Sequence, residues 1–162
     1  LGDSLLVAPI FNEEGMAENY LPEGHWTSLL SGEEKEGGRW YREKHGYLSI
    51  PLYVREGSII AMGARSDNAV YDYTDGTTLR VYALGDGEEA QTSIYDTEGR
   101  ESVKAMVRRT GGRYEITVSG GTRIKVALMH AGVPRDADCT CEMQDSHAVL
   151  TLPESGRAYA QF

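Results

Sequence analysis

Apolar and polar residues alternate along most of the second half of the chain, and this period of two limits the fold more than any other feature. Successive side chains of a strand point to opposite faces of a sheet, so each alternating segment has one core face and one wet face. Helical periodicity is nearly absent. The pattern predicts an all-β protein of two antiparallel β-sandwich domains with little or no helix. The apolar positions are Leu79, Val81 and Ala83; Val103, Ala105 and Val107; Tyr114, Ile116 and Val118; and Ile124, Val126 and Leu128.

Glycine-rich turns separate the predicted strands. The chain has 19 Gly among 162 residues. Gly111-Gly112 and Gly120-Gly121 supply the positive-φ positions that tight hairpins require. A last pair of strands, over 148–152 and 158–162, is expected to close the sheet.

The first third of the chain follows a different pattern. Residues 5–10 are almost continuously apolar, which is typical of a strand buried on both faces, and we expect them to pair within the first unit or with another chain. Short strands follow around 19–21, 25–30 and 58–62, and residues 63–68 are polar without apolar rhythm. We therefore predict one domain over 1–64 and a second over 65–162. The first is small enough to need support from a neighbour.

Length and charge exclude several classes of protein. The 16 Lys and Arg against 25 Asp and Glu give a formal charge of −9, so no nucleic acid and no membrane is expected as a partner. The 162 residues fall short of the roughly 250 of a (β/α)₈ barrel. The chain begins at Leu1 without Met, and we expect it to be a fragment.

The cysteines and histidines predict neither a disulfide nor a cofactor. Cys139 and Cys141 are the only cysteines, and a bridge between positions i and i+2 would close a strained ring. Free thiols favour a reducing, cytoplasmic location. The four His share no metal-ligand spacing, so no metal-binding or cofactor-binding residue is assigned.

No segment carries a complete catalytic motif. Gly2-Asp3-Ser4-Leu5 resembles the nucleophile block of the GDSL esterases, but the other blocks of that family are missing, and Asp145-Ser146-His147 is one residue too short for its Asp–His block. Adjacent acidic residues lie in polar, turn-like stretches where a solvated surface explains them. These pairs are Glu13-Glu14, Glu33-Glu34 and Glu88-Glu89.

Aromatic residues are the remaining candidates for a binding site. Trp26 and Trp40 lie in the first third, near Tyr20, Tyr47 and Tyr53. An exposed set of such rings would suit stacking on a sugar. The alternative is a seam in which Trp and Tyr bury large areas against a neighbouring domain while keeping a polar atom in water.

Four blocks in a fixed order resemble the C-terminal portion of glycoside hydrolase family 31. In that family a segment like the first block ends the catalytic barrel, and the later blocks open and close a β-sandwich. Residues 41–45 and 66–73 look more like the bacterial α-xylosidase branch than the α-glucosidases. Residues 65–162 look like the distal C-terminal β-domain of the family. The blocks are 2–11 (GDSLLVAPIF), 20–27 (YLPEGHWT), 37–41 (GGRWY) and 50–60 (IPLYVREGSII).

The resemblance implies a role without catalysis. Family 31 enzymes are retaining, with an aspartate nucleophile and an aspartate acid/base, and both belong to barrel strands upstream of these blocks. No catalytic residue can therefore be carried over. The expected partners are the upstream barrel of the same chain and, through the parent enzyme, an α-linked oligosaccharide. A carbohydrate-binding module and an oligomerisation domain that forms a homo-oligomer are the alternative functions.

Overall fold

The computed structural model describes all residues, Leu1–Phe162. It contains sixteen β-strands and no helix. The all-β prediction is therefore confirmed. Contacts divide the chain into two units, Leu1–Glu56 and Gly57–Phe162. No helix is present that could span a membrane.

Unit 1 contains two sheets. The larger has the order β1-β6-β3-β4, and the smaller is a two-stranded ribbon of β2 and β5. All of its strand pairs are antiparallel. The strands are β1 (Leu5–Val7), β2 (Met16–Leu21), β3 (His25–Ser28), β4 (Glu34–Glu36), β5 (Arg39–Lys44) and β6 (Leu52–Arg55).

Strand β1 occupies the edge of the larger sheet. Leu5 pairs with Val54 and Val7 with Leu52, which confirms that this apolar run pairs within the first unit. The expectation of burial on both faces is not met, because all three residues are only half-buried. The reason is that β1 has a neighbouring strand, β6, on one side only.

The core of unit 1 is small and contains a buried cation. Leu21, Trp26 and Tyr53 form its apolar cluster. Beside them, Lys35 on β4 donates a hydrogen bond to Glu43 on β5, and its Nζ lies 4.8 Å from the centre of the Tyr41 ring. Tyr53 on β6 donates to the same Glu43 carboxylate at 2.8 Å. Charge-assisted hydrogen bonds and a cation–π contact thus join the two sheets.

A glycine permits the turn between β4 and β5 to pack closely. A Cβ at Gly37 would lie 1.7 Å from the Pro22 carbonyl oxygen. The Gly37 amide donates to the Gly24 carbonyl at 2.7 Å. The close backbone approach explains why this position of the GGRWY block is Gly.

Unit 2 is a sandwich of two five-stranded sheets, with the orders β13-β16-β11-β10-β9 and β14-β15-β12-β8-β7. Its strands are β7 (Ser58–Met62), β8 (Thr78–Tyr82), β9 (Glu89–Tyr95), β10 (Glu101–Thr110), β11 (Arg113–Ser119), β12 (Lys125–Leu128), β13 (Asp136–Ala137), β14 (Thr140–Gln144), β15 (His147–Thr151) and β16 (Arg157–Gln161).

Two pairings in unit 2 differ from the sequence prediction. Strand β12 runs parallel to β8, because the chain passes through β9, β10 and β11 of the other sheet before it returns. The last two strands, β15 and β16, do not pair with each other. Strand β15 pairs with β12 and β14, whereas β16 pairs with β11 and β13, so each belongs to a different sheet.

The predicted core positions of unit 2 are buried with one exception. Leu79, Val107, Val126 and the other alternating residues form one core cluster. Ala83 is exposed. Its φ of 39° interrupts the alternation at the end of β8, and Leu84 takes the core position with 1% exposure.

The contact-based division falls earlier than the boundary at residue 64. Strand β7 pairs along its whole length with β8, and Ile59 belongs to the core of unit 2. The boundary was expected near residue 64 because residues 63–68 are polar and lack apolar rhythm. In the structure the strands β6 and β7, on either side of Glu56-Gly57, belong to different sheets.

The Lys35–Glu43 pair makes the stability of unit 1 depend on pH. Burial alone would raise the pKa of Glu43, but hydrogen bonds from Lys35 and Tyr53 and the charge of Lys35 outweigh it, so this pKa is lowered. The stabilisation is therefore fully present above the unfolded pKa of about 4.3. It is lost as the pH falls through the lower folded pKa.

We predict that Lys35→Met lowers the free energy of unfolding of unit 1 by about 2 kcal/mol at pH 7. Removing one partner of a fully buried pair costs roughly 3–5 kcal/mol, and the Glu43 side chain remains 31% exposed. Both Trp residues lie in unit 1, so Trp fluorescence during urea unfolding reports on this unit. Lys44→Met, on the exposed face of β5, is the matched control and should change stability little. The difference between the two variants should shrink below pH 4; equal stability of the two at pH 7 would contradict the role of the pair.

Candidate functional site

Trp26 is a core residue. Its side chain is 6% exposed and packs with Leu21 and Tyr53. The indole Nε1–H donates to the Pro22 carbonyl at 2.9 Å, which satisfies the ring's one polar group. Neither ring face is therefore available to a sugar, and the stacking role considered for Trp26 does not fit this placement.

Trp40, in contrast to Trp26, is exposed to solvent. It is on β5 directly across from Tyr20 on β2, and it is 66% exposed. The two ring centres are 5.7 Å apart, with the planes inclined at 58°. A tilted contact of this kind is a favourable aromatic geometry. The pair presents aromatic surface to solvent on the ribbon.

Alternation along the ribbon defines an outer face that includes this aromatic pair. Across the two strands Met16 opposes Lys44, Glu18 opposes Arg42 and Tyr20 opposes Trp40. All six are exposed or half-exposed. The inward positions of the same strands include Ala17, Leu21, Tyr41 and Glu43. We call the six outward residues the outer face.

Charged groups on the outer face are free of intramolecular partners. Glu18 and Arg42 are opposite in register, yet neither side chain forms an ion pair or hydrogen bond. A cleft of about 350 Å³ runs beside them, lined also by Pro9, Phe11 and Asn12. The arrangement places a carboxylate, a guanidinium and an exposed aromatic pair on one surface.

A second feature of unit 1 is an open apolar groove of about 1100 Å³ between residues 10–15 and 44–50. Phe11, Tyr47 and Leu48 are each more than 90% exposed on its walls. The loop that carries Tyr47 is held by a bond from His45 N to the Gly15 carbonyl, 2.8 Å, and by a His45 Nδ1–Ser49 Oγ contact, also 2.8 Å. We call this surface the apolar groove. Sequence reasoning did not single it out, although Tyr47-Leu48 after a Gly in a turn is an apolar pair where polar residues are usual.

The residues considered for catalysis are not assembled into a site. The Ser4 hydroxyl makes no hydrogen bond, and its carbonyl accepts one from the Arg55 amide. No group of three or more His, Cys, Asp or Glu side chains lies close enough to hold a metal ion. Cys139 and Cys141 are free and half-buried, and burial raises the pKa of both thiols.

The chain thus consists of two all-β units that expose aromatic and apolar surface and contain no assembled catalytic site. Two family profiles match the chain. Residues 1–60 match the glycosyl hydrolase family 31 C-terminal domain, and residues 72–159 match the C-terminal domain of α-xylosidase YicI. The chain belongs to the C-terminal region of glycoside hydrolase family 31, which confirms the resemblance drawn from its sequence blocks.

Individual relatives agree with this family assignment. An α-xylosidase, XylQ, from Lactiplantibacillus pentosus is 36% identical over 132 residues, which cover 80% of this chain and 17% of that protein. An α-xylosidase from Emericella nidulans is 34% identical over 110 residues, 63% of this chain and 14% of that protein. The matched segments therefore span only about one sixth of the length of these curated relatives.

A solved structure shares the fold. The family 31 dextranase of Flavobacterium johnsoniae, solved with glucose, superposes with a TM-score of 0.79 at 18% identity. The match covers 99% of this chain and 26% of the dextranase chain. Both units of the chain thus occur together in a longer family 31 enzyme.

The different exposure of the two Trp residues predicts two kinds of emission. Trp40→Phe should remove most of the acrylamide-quenchable fluorescence and leave the blue-shifted, weakly quenched emission of Trp26. Tyr47→Phe, another exposed aromatic of unit 1, should change the quenching little. If the emission that remains in Trp40→Phe is as readily quenched as that of the unsubstituted chain, Trp26 is not buried as described.

Proposed function

We propose that this chain is the non-catalytic C-terminal accessory region of a retaining α-glycosidase similar to the α-xylosidases. The full-length enzyme would hydrolyse terminal α-xylosyl or related α-glycosidic bonds. The observation that carries the proposal is that two C-terminal-domain profiles, at 1–60 and 72–159, account for most of the chain. The matched segment covers only 17% of the α-xylosidase XylQ that it resembles.

Asp75 and Asp96, whose pKa values are strongly lowered, do not fit the role of a general acid. A retaining glycosidase needs a general acid whose pKa is raised towards neutrality. The pKa of Asp75 is lowered to about 2 by hydrogen bonds from Arg123 and Thr122. That of Asp96 is lowered to about 2 by hydrogen bonds from the Arg100 backbone and side chain. These carboxylates are held ionised in surface loops.

The apolar groove supports a bracing role for unit 1. Phe11, Tyr47 and Leu48 expose almost all of their side chains around one concave surface. Contiguous apolar surface of this kind is usually covered by a protein contact. Strand β1 adds a half-buried apolar edge to the same unit. We propose that the upstream catalytic barrel of the full-length chain covers these surfaces.

The proposal predicts that the catalytic activity requires the upstream barrel. The 162-residue chain should release no product from an aryl α-xyloside at concentrations at which the full-length protein turns over readily. A truncated version of the full-length protein that ends at the residue before Leu1 should lose activity or solubility. The apolar barrel surface that unit 1 covers would then be exposed. Turnover that copurifies with the 162-residue chain would contradict the non-catalytic role.

A further inference from the structure

We propose that the outer face of the β2–β5 ribbon binds a pyranose oligosaccharide, with one sugar ring stacked on Trp40 and hydroxyl groups of the neighbouring unit held by Glu18 and Arg42. This assigns a ligand site to the accessory region itself. It goes beyond the bracing role proposed above and does not depend on it.

The aromatic pair provides a fixed platform. Tyr20 and Trp40 are direct cross-strand partners, so the backbone hydrogen bonds of the ribbon set the spacing of the two side chains. The Tyr20 ring meets the Trp40 ring at 58°, and it therefore supports one side of the indole while the indole stays 66% exposed. One face of a pyranose ring carries C–H groups, which pack on the flat, electron-rich face of an indole.

Glu18 and Arg42 supply the polar half of the site. A carboxylate accepts several hydrogen bonds and a guanidinium donates up to five, which matches adjacent hydroxyl groups that both donate and accept. The charged pair lies two positions from the aromatic pair, with Glu18 before Tyr20 on β2 and Arg42 after Trp40 on β5, a distance of roughly 7 Å. Adjacent sugar units of one chain can therefore contact both pairs at once. Neither charged side chain has to give up an intramolecular partner.

The cleft beside Glu18 and Arg42 gives the second sugar unit a concave surface. Its volume of about 350 Å³ lies at the lower end of the roughly 300–1,000 Å³ of small-ligand sites. Phe11 and Met16 form the apolar part of the cleft wall, and Asn12 adds an amide group. The Asn12 side chain bonds to the backbone of Met16 at 2.6 and 2.8 Å, so its position in the wall is fixed.

The carboxylate at the centre of the outer face favours a sugar over a protein partner. Aromatic residues, Met and Arg are common in protein docking surfaces, whereas Glu is depleted there. The centre of the outer face is the Glu18–Arg42 pair, and a carboxylate is a good acceptor for sugar hydroxyl groups. The outer face adjoins the apolar groove, since Lys44 also lines that groove and Phe11 lines both the groove and the cleft. The site for the sugar is therefore centred on Trp40, Glu18 and Arg42.

Binding can be measured on the 162-residue chain by calorimetric titration with xyloglucan oligosaccharides. Trp40→Ala should weaken binding at least about tenfold, the equivalent of ~1.4 kcal/mol. Glu18→Gln and Arg42→Gln should each weaken it severalfold. Two exposed aromatics away from the face, Tyr47 and Tyr95, provide matched controls, and their Ala variants should bind as the unsubstituted chain does.

Folding of the key variant is checked independently. In Trp40→Ala the remaining Trp26 should keep the blue-shifted emission of a buried indole, which shows that unit 1 is intact. Absence of heat and of any fluorescence change with about 10 mM oligosaccharide, where a Kd of 1 mM would be close to saturated, would overturn the site. So would unchanged affinity in a folded Trp40→Ala variant, or equal loss in the Tyr47→Ala control. The titration measures binding alone, so its failure leaves the turnover prediction untouched.

Discussion

Unit 1 depends on one buried cation. The apolar cluster of Leu21, Trp26 and Tyr53 is too small to hold two sheets firmly, and Lys35 completes it by contacting Glu43 and Tyr41 from the ribbon and Tyr53 from the larger sheet. Glu43 turns inward to meet this cation. Because side chains alternate along β5, Trp40 and Arg42 then face outward. The same interaction that closes the core therefore determines which residues form the outer face.

Alternation predicted most of unit 2 because its strands have one core face and one wet face. Leu79, Val107 and Val126 are buried as expected. The errors arise where the backbone leaves the regular strand or the sheet, as at Ala83 with its positive φ and at the parallel β8–β12 pair. Periodicity identifies strands and their faces, but it contains no information on which strand is the neighbour of which. That choice depends on packing between distant segments.

The sequence also failed to show which of the two Trp residues is exposed. Trp26 and Trp40 look alike in the sequence, since both follow a Gly-containing turn and lie near Tyr residues. They differ because β3 buries two successive residues, Trp26 and Thr27, whereas β5 keeps an alternating pattern. The Trp40-Arg42-Lys44 series was a readable signal for an outward face. The buried Lys35 gave no such signal, because a Lys between two Glu residues resembles a solvated turn.

The bracing role proposed for unit 1 requires that the upstream part of the full-length protein covers the apolar groove. Hydroxyl-radical footprinting compares the 162-residue chain with the full-length protein under the same radical dose. We predict strong labelling of Phe11, Tyr47 and Leu48 in the chain alone and severalfold protection of all three in the full-length protein. Equal labelling of these residues in both proteins would contradict the bracing role.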